Sequence, residues 1–122
     1  MKLHASGPGT LNTIAGYGDD YVMVNGERRD SSVIVMPERI VSWEASAFED
    51  LKPEDFSTLA NLGVEIVLLG TGAKQRFPHP RLTAPLTRAG IGLEVMDFQA
   101  ACRTYNILVA EERRVALALL FA

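Results

Sequence analysis

The sequence predicts an α/β protein, a three-layer sandwich in which helices cover a central mixed β-sheet. Two observations predict this fold class. Between residues 64 and 120 the segments alternate as strand, helix, strand, helix, strand, which favours βαβ units with right-handed crossovers. The N-terminal third instead has the pattern of a β-hairpin region. We expect its strands to add pairs to the same sheet.

The most specific local signal is a β-hairpin centred on Asn25 and Gly26. This pair accepts the positive φ angles of a type I′ turn, and the arms are residues 21–24 and 27–29. Residues 32–36 follow as another strand. It ends at Pro37, because proline has no N–H to donate to a ladder.

The period becomes helical near Pro53, a residue suited to a first helical turn. Glu54 and Asp55 complement the helix dipole, Gly63 ends the helix, and one apolar face contains Phe56, Leu59 and Ala60. Residues 64–69 are almost continuously apolar, which is typical of a central strand covered on both faces.

A second helix begins at Pro80 or Thr83 and ends at Gly90. Pro85 favours the later start, because proline is tolerated in the first turn of a helix. Residues 92–96 form the next strand.

Asp97 is predicted to be the N-cap residue of a third helix. Apolar residues then recur with helical spacing and predict the buried face: Phe98, Ala101, Cys102, Tyr105, Leu108 and Val109. Residues 115–120 are wholly apolar and predict a buried closing strand.

Length and composition indicate one ordered domain. The 122 residues are 48% hydrophobic and 22% charged, and the net charge is −3. We assign residues 12–122 to a single α/β domain and residues 1–11, with their Gly-Pro-Gly segment, to a flexible N-terminal segment. The acidic balance disfavours nucleic acid as a partner. The charge is uneven, with six acids and two bases in residues 38–55 and four bases but no acid in residues 74–88.

The N-terminus lacks the apolar run of a signal peptide, and no stretch is long and apolar enough for membrane insertion. Cys102 is the single cysteine, so no intramolecular disulfide can form. We therefore expect a cytoplasmic protein.

The candidate binding residues lie where two predicted strands end. Gly70, Thr71 and Gly72 follow the first strand, and such glycines let backbone N–H groups approach an anion. Residues 73–78 match neither the dinucleotide fingerprint nor the P-loop, so a tight structural turn is the alternative interpretation. Asp97 ends the next strand, at an edge where open α/β sheets bind ligands. The counter-charges available to such a site are Lys74, Arg76 and Arg103.

No complete catalytic constellation is present. Cys102 lies on the apolar stripe, where a thiol stays protonated and unreactive. His4 and His79 lie in loop-like segments that do not orient them, and no paired acid for general acid–base chemistry is identifiable. We expect no catalytic residues, no metal site and no cofactor.

Four segments form a characteristic combination: Val24-Asn25-Gly26, Leu68-Leu69-Gly70-Thr71-Gly72, Gly90-Ile91-Gly92-Leu93-Glu94-Val95-Met96-Asp97 and Ala100-Ala101-Cys102-Arg103-Thr104-Tyr105-Asn106-Ile107-Leu108. Together they resemble the small-protein family that includes mitochondrial complex I assembly factor 3 and uncharacterised bacterial single-domain proteins, and the resemblance covers roughly residues 12–120. It implies a three-layer α/β fold and a role in binding other proteins, and it supplies no catalytic residues or cofactor. The N-terminus has no Arg-rich targeting segment, so we expect a bacterial-type member.

Two functions stay open. The favoured interpretation is a non-catalytic protein-binding or assembly-factor-like domain whose partner is another protein, with weak homo-oligomerisation as an additional state. The alternative is a small-molecule or anion-binding protein, extending to an enzyme, that uses the strand-end edge at Gly70–Gly72 and Asp97.

Overall fold

A computed structural model describes residues 11–121, which contain eight β-strands and three α-helices. The strands are β1 (Ile14–Tyr17), β2 (Val22–Val24), β3 (Glu27–Arg29), β4 (Val33–Met36), β5 (Arg39–Ser42), β6 (Ile66–Gly70), β7 (Gly92–Met96) and β8 (Val115–Leu119). The helices are α1 (Pro53–Ala60), α2 (Pro80–Arg88) and α3 (Phe98–Ala110), and a short 3-10 helix spans Phe48–Asp50.

The strands form two sheets. The larger sheet has the order β5-β4-β8-β6-β7 and is mixed, because β6 is parallel to β7 and β8 while β4 is antiparallel to β5 and β8. The smaller sheet is antiparallel with the order β1-β2-β3. The predicted α/β class with a central mixed sheet is confirmed. The hairpin, however, lies in the separate small sheet and does not extend the large one.

Two hydrophobic cores lie on opposite faces of the large sheet. One core contains the apolar stripe of α3 and the inner residues of β1 and β2, and the other contains α1, α2 and Trp43. Strand β8 contributes to both cores, since Val115, Leu117 and Leu119 lie in the first while Ala116 and Ala118 lie in the second. A strand buried on both faces needs a continuous apolar run, which explains residues 115–120.

The predicted hairpin turn is confirmed. Asn25 has φ 55° and Gly26 has φ 94°, the left-handed values that a type I′ turn requires. Asn25 also joins the hairpin to the segment before β1, because its Oδ1 accepts a 3.0 Å hydrogen bond from the Thr13 N–H. The turn therefore helps to hold the small sheet together.

Helix α2 begins at Pro80, so the favoured later start at Thr83 is wrong and Pro85 lies inside the helix. His79 Nδ1 accepts a 3.1 Å hydrogen bond from the Arg81 N–H and caps the first turn. Leu86 is buried in the core beneath α2. These contacts outweigh the one backbone hydrogen bond that Pro85 removes.

The predicted flexible segment, residues 1–11, lies outside the described residues except for Leu11, which packs against the core. None of the helices within residues 11–121 is long and apolar enough to cross a membrane.

Candidate functional site

The ends of β6 and β7 lie side by side, because the two strands are parallel and Gly70 is in register with Met96. The Thr71 N–H donates to the Met96 carbonyl at 2.9 Å, and the Phe98 N–H donates to the Gly72 carbonyl at 2.7 Å. The glycine turn and the N-terminus of α3 are thus brought together.

The two glycines of the turn have different structural roles. A Cβ atom on Gly70 would lie 2.7 Å from Leu119 Cδ2 and 3.2 Å from Ala101 Cβ, so Gly70 permits close packing of β6 against β8 and α3. Gly72 has φ 88°, a left-handed value that favours glycine. Close packing therefore explains the glycine at position 70, and the left-handed turn explains the glycine at position 72.

Thr71 is fully buried and organises the β6–α2 loop, which we define as residues 71–79. Its hydroxyl donates to the Lys74 carbonyl at 2.5 Å and accepts from the Arg76 N–H at 3.0 Å. Gln75 Nε2 donates to the Val95 carbonyl on β7 at 2.9 Å. The loop is therefore tied to the sheet, and the Thr71 hydroxyl is used within the fold.

Arg76 joins the basic loop to the acidic stretch 38–55. Its Nη1 forms a 3.0 Å ion pair with Glu49, and its guanidinium lies 4.6 Å from the centre of the Phe48 ring. Nη2 donates to the Thr71 carbonyl at 3.1 Å. Arg76 thus anchors the loop to the 3-10 helix, whereas the Lys74 side chain is exposed.

Asp97 caps α3, since its Oδ1 accepts a 2.9 Å hydrogen bond from the Ala100 N–H. A small cavity of about 270 Å³ adjoins it, lined by Gly72, Phe98 and a second carboxylate, Asp19. Two acidic groups at one small cavity disfavour an anion there.

Arg103 Nη1 donates to the Tyr17 hydroxyl at 3.3 Å, so this cation is directed towards β1.

Cys102 is fully buried. Burial raises the pKa of its thiol to about 12, although the charge of Arg103 acts in the opposite direction. The thiol is therefore protonated near neutral pH and is a poor nucleophile. Among residues 11–121, no three His, Cys, Asp or Glu side chains are grouped to hold a metal ion.

Sequence reasoning missed an exposed aromatic residue in the β6–α2 loop. Phe77 is 70% exposed, and in the described part of the chain the other large apolar residue that is exposed is Ile107, at 56%. Phe77 stands between Arg76 and Pro78, without an apolar period that would place it in a core. An isolated aromatic residue in a polar loop was the available signal.

Comparisons with known proteins identify relatives along nearly the whole chain. A family model described as "Protein of unknown function (DUF498/DUF598)" matches residues 14–120. NADH dehydrogenase [ubiquinone] 1 alpha subcomplex assembly factor 3 of Bos taurus is 33% identical over 113 residues, covering 88% of this chain but 61% of the relative. The chain thus spans about three-fifths of the length of this curated relative.

Two solved structures have the same fold. The crystal structure of a Bordetella parapertussis protein is 43% identical, has a TM-score of 0.85, and matches over 90% of this chain and 95% of its own. An NMR structure of a Xanthomonas campestris protein is 35% identical, has a TM-score of 0.84, and matches over 99% of this chain and 92% of its own.

Proposed function

Since the chain belongs to the DUF498/DUF598 family, whose model matches residues 14–120, we propose that it is a non-catalytic protein-binding domain with an assembly-factor-like role. The name of its bovine relative, an assembly factor of the NADH dehydrogenase alpha subcomplex, supports a protein as partner. Subunits of that enzyme are accordingly the first candidates to test.

The observation that carries this proposal is the exposure of Phe77 on an anchored loop. The contacts of Thr71 and Arg76 hold the part of the loop that leads to Phe77, so a partner that binds Phe77 orders little additional backbone. Exposed aromatic residues on rigid supports are common anchors of protein interfaces. The same contacts occupy the Thr71 hydroxyl and the Arg76 guanidinium, which are polar groups that a small ligand at this turn would need.

The charge of residues 74–88, the segment that contains Phe77, indicates the character of the partner. Lys74, Arg81 and Arg88 are exposed, and residues 74–88 contain no acid. A surface that offers an apolar pocket for Phe77 and acidic groups around it would be complementary. We therefore assign the partner to proteins with an acidic, apolar binding face.

We expect Phe77→Ala to weaken partner binding at least about tenfold, because the truncated side chain would leave the partner's pocket unfilled. Ile107→Ala is the matched control, since it also removes an exposed apolar side chain but on α3. Quantitative affinity capture with the three proteins, followed by titration of purified partners, measures the difference.

A partner that is retained equally by Phe77→Ala would contradict this assignment. Sedimentation equilibrium of the purified chain tests self-association separately. A monomer–dimer equilibrium that Phe77→Ala abolishes would identify a second copy of the chain as the occupant of this surface.

The strand-end edge is the second candidate, favoured by the cavity beside Gly72 and Asp97. Because Asp19 and Asp97 both line it, we expect a neutral or cationic small molecule there and no binding of phosphate. Chemical-shift titration with inorganic phosphate and small primary amines tests this. Amine-induced shifts at residues 18–19, 72–73 and 97–99 would support the site, and the absence of any response would remove it.

A further inference from the structure

A larger cavity lies at the opposite end of the sheet from Gly70, where β6 and β8 begin. Its volume is about 490 Å³, within the range of small-molecule sites. The turn between β4 and β5, the α1–β6 connection and the C-terminal end of α3 surround it. Its apolar walls are formed by Leu11, Met36, Leu62, Val64, Val109 and Val115.

Two arginines at this cavity are anchored to the same short backbone segment. Arg39 Nη2 donates to the Leu62 carbonyl at 3.2 Å, and Arg114 Nη1 donates to the Gly63 carbonyl at 2.9 Å. Because Leu62 and Gly63 are consecutive, both guanidinium groups are anchored to one short segment of the α1–β6 connection. Each guanidinium has five N–H donors, so one such bond leaves several for a ligand.

Neither of these arginines forms an ion pair within residues 11–121. The carboxylate nearest in sequence to their anchors, Glu65, accepts instead from Arg113 Nε and from the backbone N–H of Arg114, both at 3.1 Å. Its pKa is lowered by these bonds. Two arginines that are anchored to one segment, keep unused N–H donors and form no ion pair among residues 11–121 are a feature of anion sites.

We propose that this cavity binds a small amphipathic monocarboxylate, with its apolar tail against the valine and leucine walls and its carboxylate on Arg39 and Arg114. Glu38 and Glu112 also line the cavity. Their charges oppose a doubly charged ligand more strongly than a singly charged one, so the cavity selects a carboxylate over a phosphate. This site is independent of the Phe77 surface, at the other end of the sheet.

Titration of ¹⁵N-labelled protein with octanoate tests the proposal. We expect saturable shifts at the amides of Val64, Val109 and Val115, with a dissociation constant on the order of 1 mM. Octan-1-ol tests the role of the carboxylate, and inorganic phosphate tests the selectivity. No shifts at these amides, equal affinity for octan-1-ol, or equal affinity for phosphate would each overturn the proposal.

Variants separate the charge from the apolar cavity. We expect Arg39→Gln and Arg114→Gln each to weaken octanoate binding at least about tenfold, the loss typical of a charge-assisted hydrogen bond. Arg88→Gln, on the exposed face of α2, is the matched control and should bind like the parent protein. Unchanged affinity in both cavity variants would overturn the carboxylate assignment.

Val64→Phe provides a second test by filling the cavity, and it should abolish binding with the rest of the spectrum unchanged. Undiminished binding there would place the ligand elsewhere.

Discussion

Replacing Gly70 with valine is expected to lower the free energy of unfolding by about 3 kcal/mol, because the added atoms have no space in the core. The first of them would meet Leu119 Cδ2 at 2.7 Å and Ala101 Cβ at 3.2 Å. Both of these residues are fully buried, so neither can move into solvent to relieve the overlap. The melting temperature should fall by roughly 10 °C.

Gly16→Val is the control, since Gly16 also lies in a strand but a Cβ atom there would have no neighbour within 4 Å. Its melting temperature should stay close to that of the parent protein. Calorimetry of both variants makes the comparison. A Gly70→Val protein as stable as the parent would mean that the close packing is not the reason for this glycine, and a role in contacting a ligand would regain support.

The elements that the sequence predicted well are those whose packing leaves a regular pattern. Helix α3 has one buried face at helical spacing, and five of the six residues predicted for it are buried, with Leu108 half-buried. Strands β6 and β8 are covered on both faces, so their continuous apolar runs were visible. In these segments, burial constrains the residue type at every position that faces a core.

Other elements depend on pairing and leave a weaker pattern. Strand β5 (Arg39–Ser42) was not predicted, because it is an edge strand whose end residues are exposed and whose main stabilisation comes from hydrogen bonds to β4. The separation of the hairpin into its own sheet was missed for a related reason. A hairpin pattern predicts local pairing and does not indicate which neighbour covers the resulting sheet.

In the candidate sites too, features that follow from local pattern were predicted and contacts between distant parts of the chain were not. The meeting of the glycine turn with Asp97 followed from the rule that parallel strands end at one edge. The ion pair between Arg76 and Glu49, by contrast, joins residues 27 positions apart. The cavity at Arg39 and Arg114 combines four separate parts of the chain. No local motif specifies contacts of that kind, so sequence reasoning offered Arg76 as a counter-charge for a ligand without indicating its ion pair with Glu49.

Asn106→Ala is expected to weaken the attachment of the small sheet to α3. Asn106 Oδ1 accepts from the Ile14 N–H and its Nδ2 donates to the Ile14 carbonyl, both at 2.9 Å, so one side chain satisfies both backbone groups of a buried residue. Removing it leaves these groups without their partner, at a cost of about 2 kcal/mol. The effect should be concentrated in β1 and β2, since Ile14 is in register with Val24.

Native-state hydrogen exchange resolves this local effect. At a cost of about 2 kcal/mol, the amides of β1 and β2 should exchange about 30-fold faster, while those of β6 and β8 change less. Gln99→Ala is the control, because it removes an exposed polar side chain from the same helix. Equal acceleration in both sheets would show that the two cores unfold as one unit, so that Asn106 stabilises the whole domain. Unchanged exchange in β1 would show instead that water replaces its two hydrogen bonds without cost.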